Sequence, residues 1–260
     1  MSTEPSHALR DRIFHLLARV NQTVLDATPN EITASPIYVV IITIYWRCLS
    51  RYEAIGLLLK HHHTDEALTV MRPLLNDAQR LIYLDKHPQK RNATVMWLWN
   101  ERLSNIGGLA KTAERTNQPG SQADVLDFVR DQRASLERAK RNFGVTKFLK
   151  PPKEGASMAR EFNRLDDWLD YLMTTYASHG TLSSPSLSLK SVGSEAKQIA
   201  LRSTDLGLLL GVGERAANYI FEAALSVASL LEWESKHVLQ ARWDTIQPEF
   251  EALKQEVVGI

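Results

Sequence analysis

Cysteine is nearly absent from this chain of 260 residues, in which Cys48 is the single example. One thiol excludes a disulfide framework within the chain and a metal site built from several thiolates. The first five residues are polar, and the apolar run before Arg47 is shorter than the roughly 18 to 20 residues that span a bilayer. These absences predict a cytoplasmic protein with no membrane partner.

Several sequence motifs of common enzymes are also missing. No phosphate-cradling glycine loop is present, because Gly207, Gly211 and Gly213 do not match the nucleotide-binding fingerprints. Neither a nucleophile elbow nor a zinc-binding His-Glu-x-x-His segment occurs. The run His61–His63 falls at a helix end, where adjacent side chains point in different directions and cannot all hold one ion. We therefore interpret it as a C-terminal helical turn and predict neither metal nor cofactor.

The hydrophobic pattern predicts an all-α fold. Hydrophobic residues make up 44% of the chain and recur at helical spacing, while the formal net charge is only +1. The pattern predicts a multi-helix bundle of seven or eight helices, with a short hairpin or an extended loop near residues 180–204. We expect a single domain over residues 1–260, with a subdivision near residues 144–155 as the alternative. The predicted helices span residues 6–26, 36–61, 64–86, 92–115, 121–142, 157–176, 214–233 and 243–257.

Two arginines lie on the most apolar of these helices. Arg47 and Arg51 are four residues apart and so share a helix face, which requires partners for both guanidinium groups. Two interpretations follow: an internal ion-pair network that fixes helix register, or a cleft that binds phosphate or another anion. The candidate acidic partners are Glu53, Asp65, Glu66 and Asp77.

A basic segment covers residues 130–153, with eight basic residues against two acidic ones and a net charge of +6. Phe143 and Phe148 are interleaved with these charges. Such a segment is suited to follow a nucleic-acid backbone and to stack on bases, although solvated helix ends account for the same composition. The candidate anion- or nucleic-acid-binding residues here are Arg138, Arg141, Lys147 and Lys150.

Four stretches together resemble a known family. They are Arg47-Cys-Leu-Ser-Arg51-Tyr-Glu-Ala, Thr64-Asp-Glu-Ala-Leu, Arg72-Pro-Leu-Leu-Asn76, and the segment from Tyr171 to His179-Gly180. They are similar to an uncharacterised bacterial domain-of-unknown-function family of all-helical proteins. Asn76 stands where that family has a glutamate. The resemblance implies a helical fold and no particular activity.

Histidines near arginines suggest a candidate catalytic site. Helical ribonucleases of the HEPN class use an arginine followed after four to six residues by a histidine, and two pairs match: Arg10 with His15, and Arg80 with His87. Chance alone supplies about two matches in such a composition. We prefer Arg80 and His87, because Arg80 continues the polar stripe of its helix.

His179 is the second histidine of interest, because it follows Tyr176 and Ser178 at a predicted helix end. It is either a general acid or base acting with Arg72, or a cap for the preceding carbonyl groups.

Two functions are consistent with these features. The first is a helical interaction module of bacterial stress or phage-defence type, with an Arg/His cluster between core helices. The alternative is a metal-independent HEPN-like ribonuclease or toxin acting on RNA phosphodiesters. The candidate partners are RNA or another phosphate-bearing ligand, and a second copy of the chain.

Overall fold

Helices dominate the part of the chain that the structure describes, which confirms the predicted all-α fold. In this computed structural model the described residues are 4–31, 35–115, 122–153, 156–164, 174, 189–192, 196–199 and 206–258. Within them lie eight helices and one two-stranded hairpin. The helices are α1 (Glu4–Asp26), α2 (Pro36–Lys60), α3 (Thr64–Lys86), α4 (Pro88–Arg115), α5 (Gln122–Asn142), α6 (Ala156–Phe162), α7 (Leu206–Leu230) and α8 (Lys236–Val258).

The hairpin lies in the region for which the sequence left a hairpin or a loop open. Strands β1 (Leu189–Val192) and β2 (Ala196–Ile199) pair in antiparallel register, with Leu189 opposite Ile199. The predicted helix over residues 157–176 is present at its start as α6, but it ends at Phe162, because Asn163 has a φ of +53° in the left-handed region. Beyond residue 164, all of that prediction except residue 174 falls outside the described residues.

Three helices begin at least four residues earlier than predicted. Proline suits the first turn of a helix because its missing N–H needs no partner there, and α4 accordingly starts at Pro88 rather than at residue 92. Helix α7 starts at Leu206 rather than at residue 214, since buried residues such as Leu209 and Val212 outweigh the low helix propensity of the intervening glycines. Helix α8 starts at Lys236 rather than at residue 243.

The chain divides into two compact units. The first unit comprises residues 1–32, 44–82 and 152–260, and the second comprises residues 33–43 and 83–151. The boundaries therefore fall within α2 and α3 as well as after Pro151. Neither the single domain nor its subdivision near residues 144–155 is tested by this division, and both stay predictions.

In the first unit, α1, α7 and α8 pack against one another. Gly213 of α7 permits a close approach of α7 to α1, because a Cβ atom at this position would lie 3.0 Å from Leu17 Cδ1 of α1. Tyr52 of α2 is buried against α1 and donates a hydrogen bond of 2.9 Å to the carbonyl of Leu17. Phe221 and Trp243 stack with ring centroids 4.5 Å apart. The core of this unit is thus built mainly from apolar side chains.

In the second unit, α4 packs against α5. Val129, Leu136 and Ala139 form the buried stripe of α5, at the spacing expected of one helix face. The loop after α5 returns to α4, where the amide of Leu149 donates a hydrogen bond of 3.2 Å to the carbonyl of Ala93. This return positions the loop after α5 beside α4.

None of the described helices combines the length and the apolar composition of a membrane-spanning segment.

Candidate functional site

Asp77 of α3 is the shared partner of three arginines. Its carboxylate is 3% exposed and lies in contact with Arg47 and Arg51 of α2 and with Arg80 of its own helix. Arg47 Nη2 donates a hydrogen bond of 3.1 Å to Oδ1, and Arg80 Nη1 donates one of 2.9 Å to the same oxygen. Arg51 Nη1 donates to Oδ2. We name these four residues the Asp77 cluster.

Helical spacing explains how the Asp77 cluster is assembled. Arg47 and Arg51 are separated by one turn of α2, and Asp77 and Arg80 by one turn of α3, so two pairs of neighbours meet across one helix–helix contact. Arg51 adds a hydrogen bond of 2.8 Å to the carbonyl of Pro73. Arg47 Nε lies 3.0 Å from Oδ2 without the angle of a hydrogen bond. The arrangement joins α2 to α3 through charge-assisted contacts.

Asp77 was one of four candidate partners for the two arginines. Glu53 instead accepts a long hydrogen bond of 3.3 Å from Asn21, and Glu66 lies 3.6 Å from His63. The internal-network interpretation therefore has direct contacts to support it.

The cluster also affects Cys48, whose thiol is fully buried. Burial raises the pKa of Cys48 above its usual range; within the cluster the charge of Asp77 raises this pKa further, and the charges of the three arginines lower it.

The second candidate site lies on the second unit. Arg138, Arg141, Lys147 and Lys150 are all exposed, and we name them the basic surface. On α5, Arg138 and Arg141 occupy the side away from the buried stripe, and Arg138 donates a hydrogen bond of 3.0 Å to Ser135 Oγ. The basic surface is therefore open to solvent.

The second unit as a whole is basic, like this surface. It contains 13 lysines and arginines against 7 aspartates and glutamates, a net charge of +6. The total for the chain is +1, so the first unit carries −5. The near-neutral chain thus consists of one unit with a net charge of +6 and one with a net charge of −5.

The loop that carries Lys147 and Lys150 is held in place by specific contacts. It leaves α5 at Gly144, whose φ of +63° belongs to the left-handed region, and the amide of Val145 bonds back to the carbonyl of Lys140 at 2.9 Å. Lys140 Nζ lies 4.8 Å from the centroid of the Phe148 ring, and Lys150 Nζ lies 5.4 Å from that of Trp97. The contact with Trp97 was not predicted, because no short spacing links α4 to this loop.

Arg10 and His15, one of the two HEPN-like pairs, both lie on α1. Arg10 closes the end of α2, with Nη2 donating a hydrogen bond of 2.6 Å to the carbonyl of Lys60 and Nη1 lying 2.6 Å from His62 Nε2. His62 has a φ of +63°, so the histidine run is a C-terminal turn, as predicted. Among the described residues no group of three or more metal-ligating side chains is close enough to hold an ion.

The preferred pair is divided between the two units. Arg80 belongs to the first unit and the Asp77 cluster, whereas His87 belongs to the second, where its ring centroid lies 4.5 Å from that of Tyr83. Arg72 is half-buried on α3. His179, together with Tyr176 and Ser178, lies outside the described residues. The catalytic roles of Arg72, Arg80, His87 and His179 stay predictions.

A groove of about 670 Å³ runs between α1 and α8 in the first unit. Ion pairs flank it, including Arg12 with Glu256 and Arg19 with Glu249. It shares no residue with the Asp77 cluster or the basic surface. Another pair absent from the predictions is Arg164 with Glu222, joined by two hydrogen bonds of 2.7 and 2.8 Å.

Comparison with known proteins adds a family. Residues 38–196, more than half of the chain, match a family that is described as a family of unknown function (DUF5677). This match covers the stretches that carried the resemblance and confirms it. No curated protein matches the chain, and no solved structure matches it.

Proposed function

Since the chain belongs to the DUF5677 family, from which it inherits no known activity, we propose a function from its surface: it is a helical module that binds single-stranded RNA. The contact is made by the basic surface of the second unit. The observation that carries this proposal is the net charge of +6 on that unit, in which Arg138, Arg141, Lys147 and Lys150 are each exposed. Phosphate contacts from such side chains dominate the affinity of nucleic-acid-binding proteins.

An aromatic side chain beside these charges favours a single strand over a duplex. Phe143 is 42% exposed at the end of α5, between Arg141 and Lys147. Unpaired bases stack on such rings, and each base–aromatic stack contributes about 1 to 3 kcal/mol. A duplex keeps its bases stacked internally and offers no such face. The combination of exposed ring and basic side chains therefore supports RNA with accessible bases.

The Asp77 cluster has a different role in this proposal. Its carboxylate already accepts hydrogen bonds from Arg47, Arg51 and Arg80, so these guanidinium groups serve the contact between α2 and α3. We assign Arg47 and Arg51 to the internal network rather than to ligand binding. The cluster supports the fold of the first unit, while the second unit contacts RNA.

Fluorescence anisotropy with a labelled single-stranded RNA tests the proposal. We expect the triple variant R138Q/R141Q/K147Q to bind at least tenfold more weakly. The slope of log affinity against log salt should fall by about 2, because each lost phosphate contact removes about 0.7 from it. Phe143→Ala should weaken binding with an unchanged salt slope.

The matched control removes the same charge from the first unit. The variant K60Q/R160Q/K236Q changes three exposed basic residues there and should bind as the wild type does. Equal losses of affinity in both triple variants would show that net charge alone accounts for the binding. An absence of binding by the wild type would refute the proposal.

The ribonuclease stays an alternative that the same preparation tests. Incubation of total RNA with the wild type and with Arg72→Ala and His179→Ala distinguishes the two functions. Metal-independent cleavage that is lost in the variants supports the enzyme, whereas binding without cleavage supports the module. The assignment to a bacterial stress or phage-defence system stays a prediction, for which growth arrest on expression is the measurement.

A further inference from the structure

Helix α2 exposes two large apolar side chains within the first unit. Trp46 is 49% exposed and Leu57 is 61% exposed, although the same helix buries Tyr45, Cys48 and Ile55 in the core. A tryptophan is a frequent anchor of protein interfaces, because its large ring buries much apolar surface on binding. This side of α2 is therefore suited to contact a partner.

The exposed residues follow a regular stripe. Trp46, Ser50, Glu53 and Leu57 are separated by four, three and four residues, which is the spacing of a helix-pairing seam, and all of them are exposed. The two large side chains lie at the ends of the stripe, about 16 Å apart at 1.5 Å per residue. Between them lie the small Ser50 and the half-buried Ala54. Small residues at the centre allow a second helix to approach closely.

We propose that this stripe pairs with the same stripe of a second copy of the chain, in antiparallel orientation about a two-fold axis between Arg51 and Tyr52. In that register Trp46 of each copy contacts Leu57 of the other, and Ser50 faces Glu53. A two-fold interface presents the same patch twice, so both apolar contacts occur twice.

Charge complementarity selects this partner. Arg47 remains 40% exposed despite its contact with Asp77, and Glu53 is exposed one and a half turns further along α2. Antiparallel pairing in the stated register leaves Arg47 of one copy about 4.5 Å along the axis from Glu53 of the other, within reach of its long side chain. A parallel pair would oppose Arg47 to Arg47 and Glu53 to Glu53, and like charges repel. The stripe is thus complementary to itself in one orientation.

Sedimentation equilibrium of the full chain over a concentration series tests the proposal. One helix pair is a small interface, so we expect a reversible dimer with a dissociation constant of roughly micromolar order. Trp46→Ala should raise that constant by about 30-fold, the loss typical of a tryptophan that anchors an interface. Glu53→Lys should raise it by about tenfold, since it opposes two positive charges in each half of the interface.

Two matched variants serve as controls. Glu234→Lys makes the same charge change at another exposed position of the first unit, and Val238→Ala truncates another exposed apolar residue. Both should leave the dissociation constant unchanged. A wild type that stays monomeric at the highest concentration refutes the proposal, as does a dimer that is equally stable in Trp46→Ala and Glu53→Lys.

Cross-linking provides a measurement that does not depend on the folding of Trp46→Ala. Because Cys48 is buried, Ser50→Cys introduces a single accessible thiol near the proposed axis. A short bis-maleimide should convert Ser50→Cys into a covalent dimer. It should not do so for Ser104→Cys, which places an exposed thiol on α4. Equal yields from the two variants would contradict the proposed register.

Discussion

Arg51 of α2 and Asp77 of α3 form the more buried of the two ion pairs that join these helices in the Asp77 cluster. The Asp77 side chain is 3% exposed and that of Arg51 is 26% exposed. An isolated carboxylate at such a depth would be protonated or would destabilise the fold, because its charge would lose its hydration. Hydrogen bonds from Arg47, Arg51 and Arg80 replace that hydration. The stability of the contact between α2 and α3 therefore depends on Asp77 more than on any one arginine.

We expect Asp77→Asn to lower the free energy of unfolding by about 2 to 3 kcal/mol. Breaking a fully buried pair costs about 3 to 5 kcal/mol, and the arginines here are partly exposed, so water screens part of the charge left behind. Urea denaturation followed by circular dichroism measures this change.

The matched control is Asp244→Asn, at an exposed position where the carboxylate accepts a hydrogen bond of 2.9 Å from Gln240 of its own helix. It should change the free energy of unfolding by less than about 0.5 kcal/mol. Similar losses in both variants would mean that the Asp77 cluster contributes nothing beyond an ordinary surface carboxylate.

The sequence was sufficient to predict the helices because their apolar residues recur with the helical period. It predicted that Arg47 and Arg51 need partners, since both lie on a helix with a long apolar run. It did not select Asp77 from four acidic candidates. That selection depends on the rotation of α3 against α2, which no local pattern specifies. The spacing of three residues between Asp77 and Arg80 predicts contact between these two residues, but it does not indicate contact with Arg47 or Arg51.

The contacts of the basic segment could not be predicted from the sequence either. Its composition predicted an exposed basic region, but the contact of Lys150 with Trp97 joins residues that are more than fifty positions apart. Likewise, the exposure of Trp46 could not be read from α2, because Ile37 to Trp46 is apolar on every side except Thr43. In such a run the buried face is chosen by the neighbouring helices.

Cys48 offers a direct measure of how α2 opens. Its thiol is fully buried, and burial raises its pKa above the usual range, so the reactive thiolate is both scarce and inaccessible. We expect maleimide to label Cys48 at least about 1,000-fold more slowly in the folded protein than in urea, as for other groups that react only on opening. Mass spectrometry of timed samples measures the rate.

Asp77→Asn should accelerate this labelling, because it weakens the contact between α2 and α3. Asp244→Asn should leave the rate unchanged. Rapid labelling of the native wild type would show that α2 is not packed as described.

Glu256 should titrate below the ordinary value for glutamate. Hydrogen bonds from Arg12 at 2.5 and 2.9 Å lower the pKa of Glu256 from its usual 4.5. A carboxylate with a lowered folded pKa stabilises the fold at pH values above its unfolded pKa. That contribution is lost as the pH falls through the folded value. Carboxyl NMR should find the pKa of Glu256 below 4.5 in the wild type and near 4.5 in Arg12→Gln.

Arg19→Gln is the control for this titration. Arg19 pairs with Glu249, which lies on the same helix as Glu256. The loss of the Arg19 side chain should therefore leave the pKa of Glu256 unchanged. A Glu256 pKa that is unaffected by Arg12→Gln would show that this pair is absent in solution.

Two glycines of the second unit should respond to alanine with opposite signs. Gly144 lies two residues after the end of α5 and has a φ of +63°. A Cβ atom there would contact nothing within 4 Å, so the cost of Gly144→Ala is conformational strain alone. We expect it to lower the free energy of unfolding by about 1 kcal/mol. Gly108 lies inside α4, and a Cβ atom there is also free of contacts.

Gly108→Ala should therefore raise the free energy of unfolding by about 0.5 to 1 kcal/mol, since alanine loses less backbone entropy in a helix. Urea denaturation of the two variants side by side measures both changes. Because neither substitution removes a contact, their difference isolates the backbone conformation at residue 144. If both variants were stabilised, Gly144 would not be in the left-handed region, and the loop that presents Lys147 and Lys150 would leave α5 along a different path.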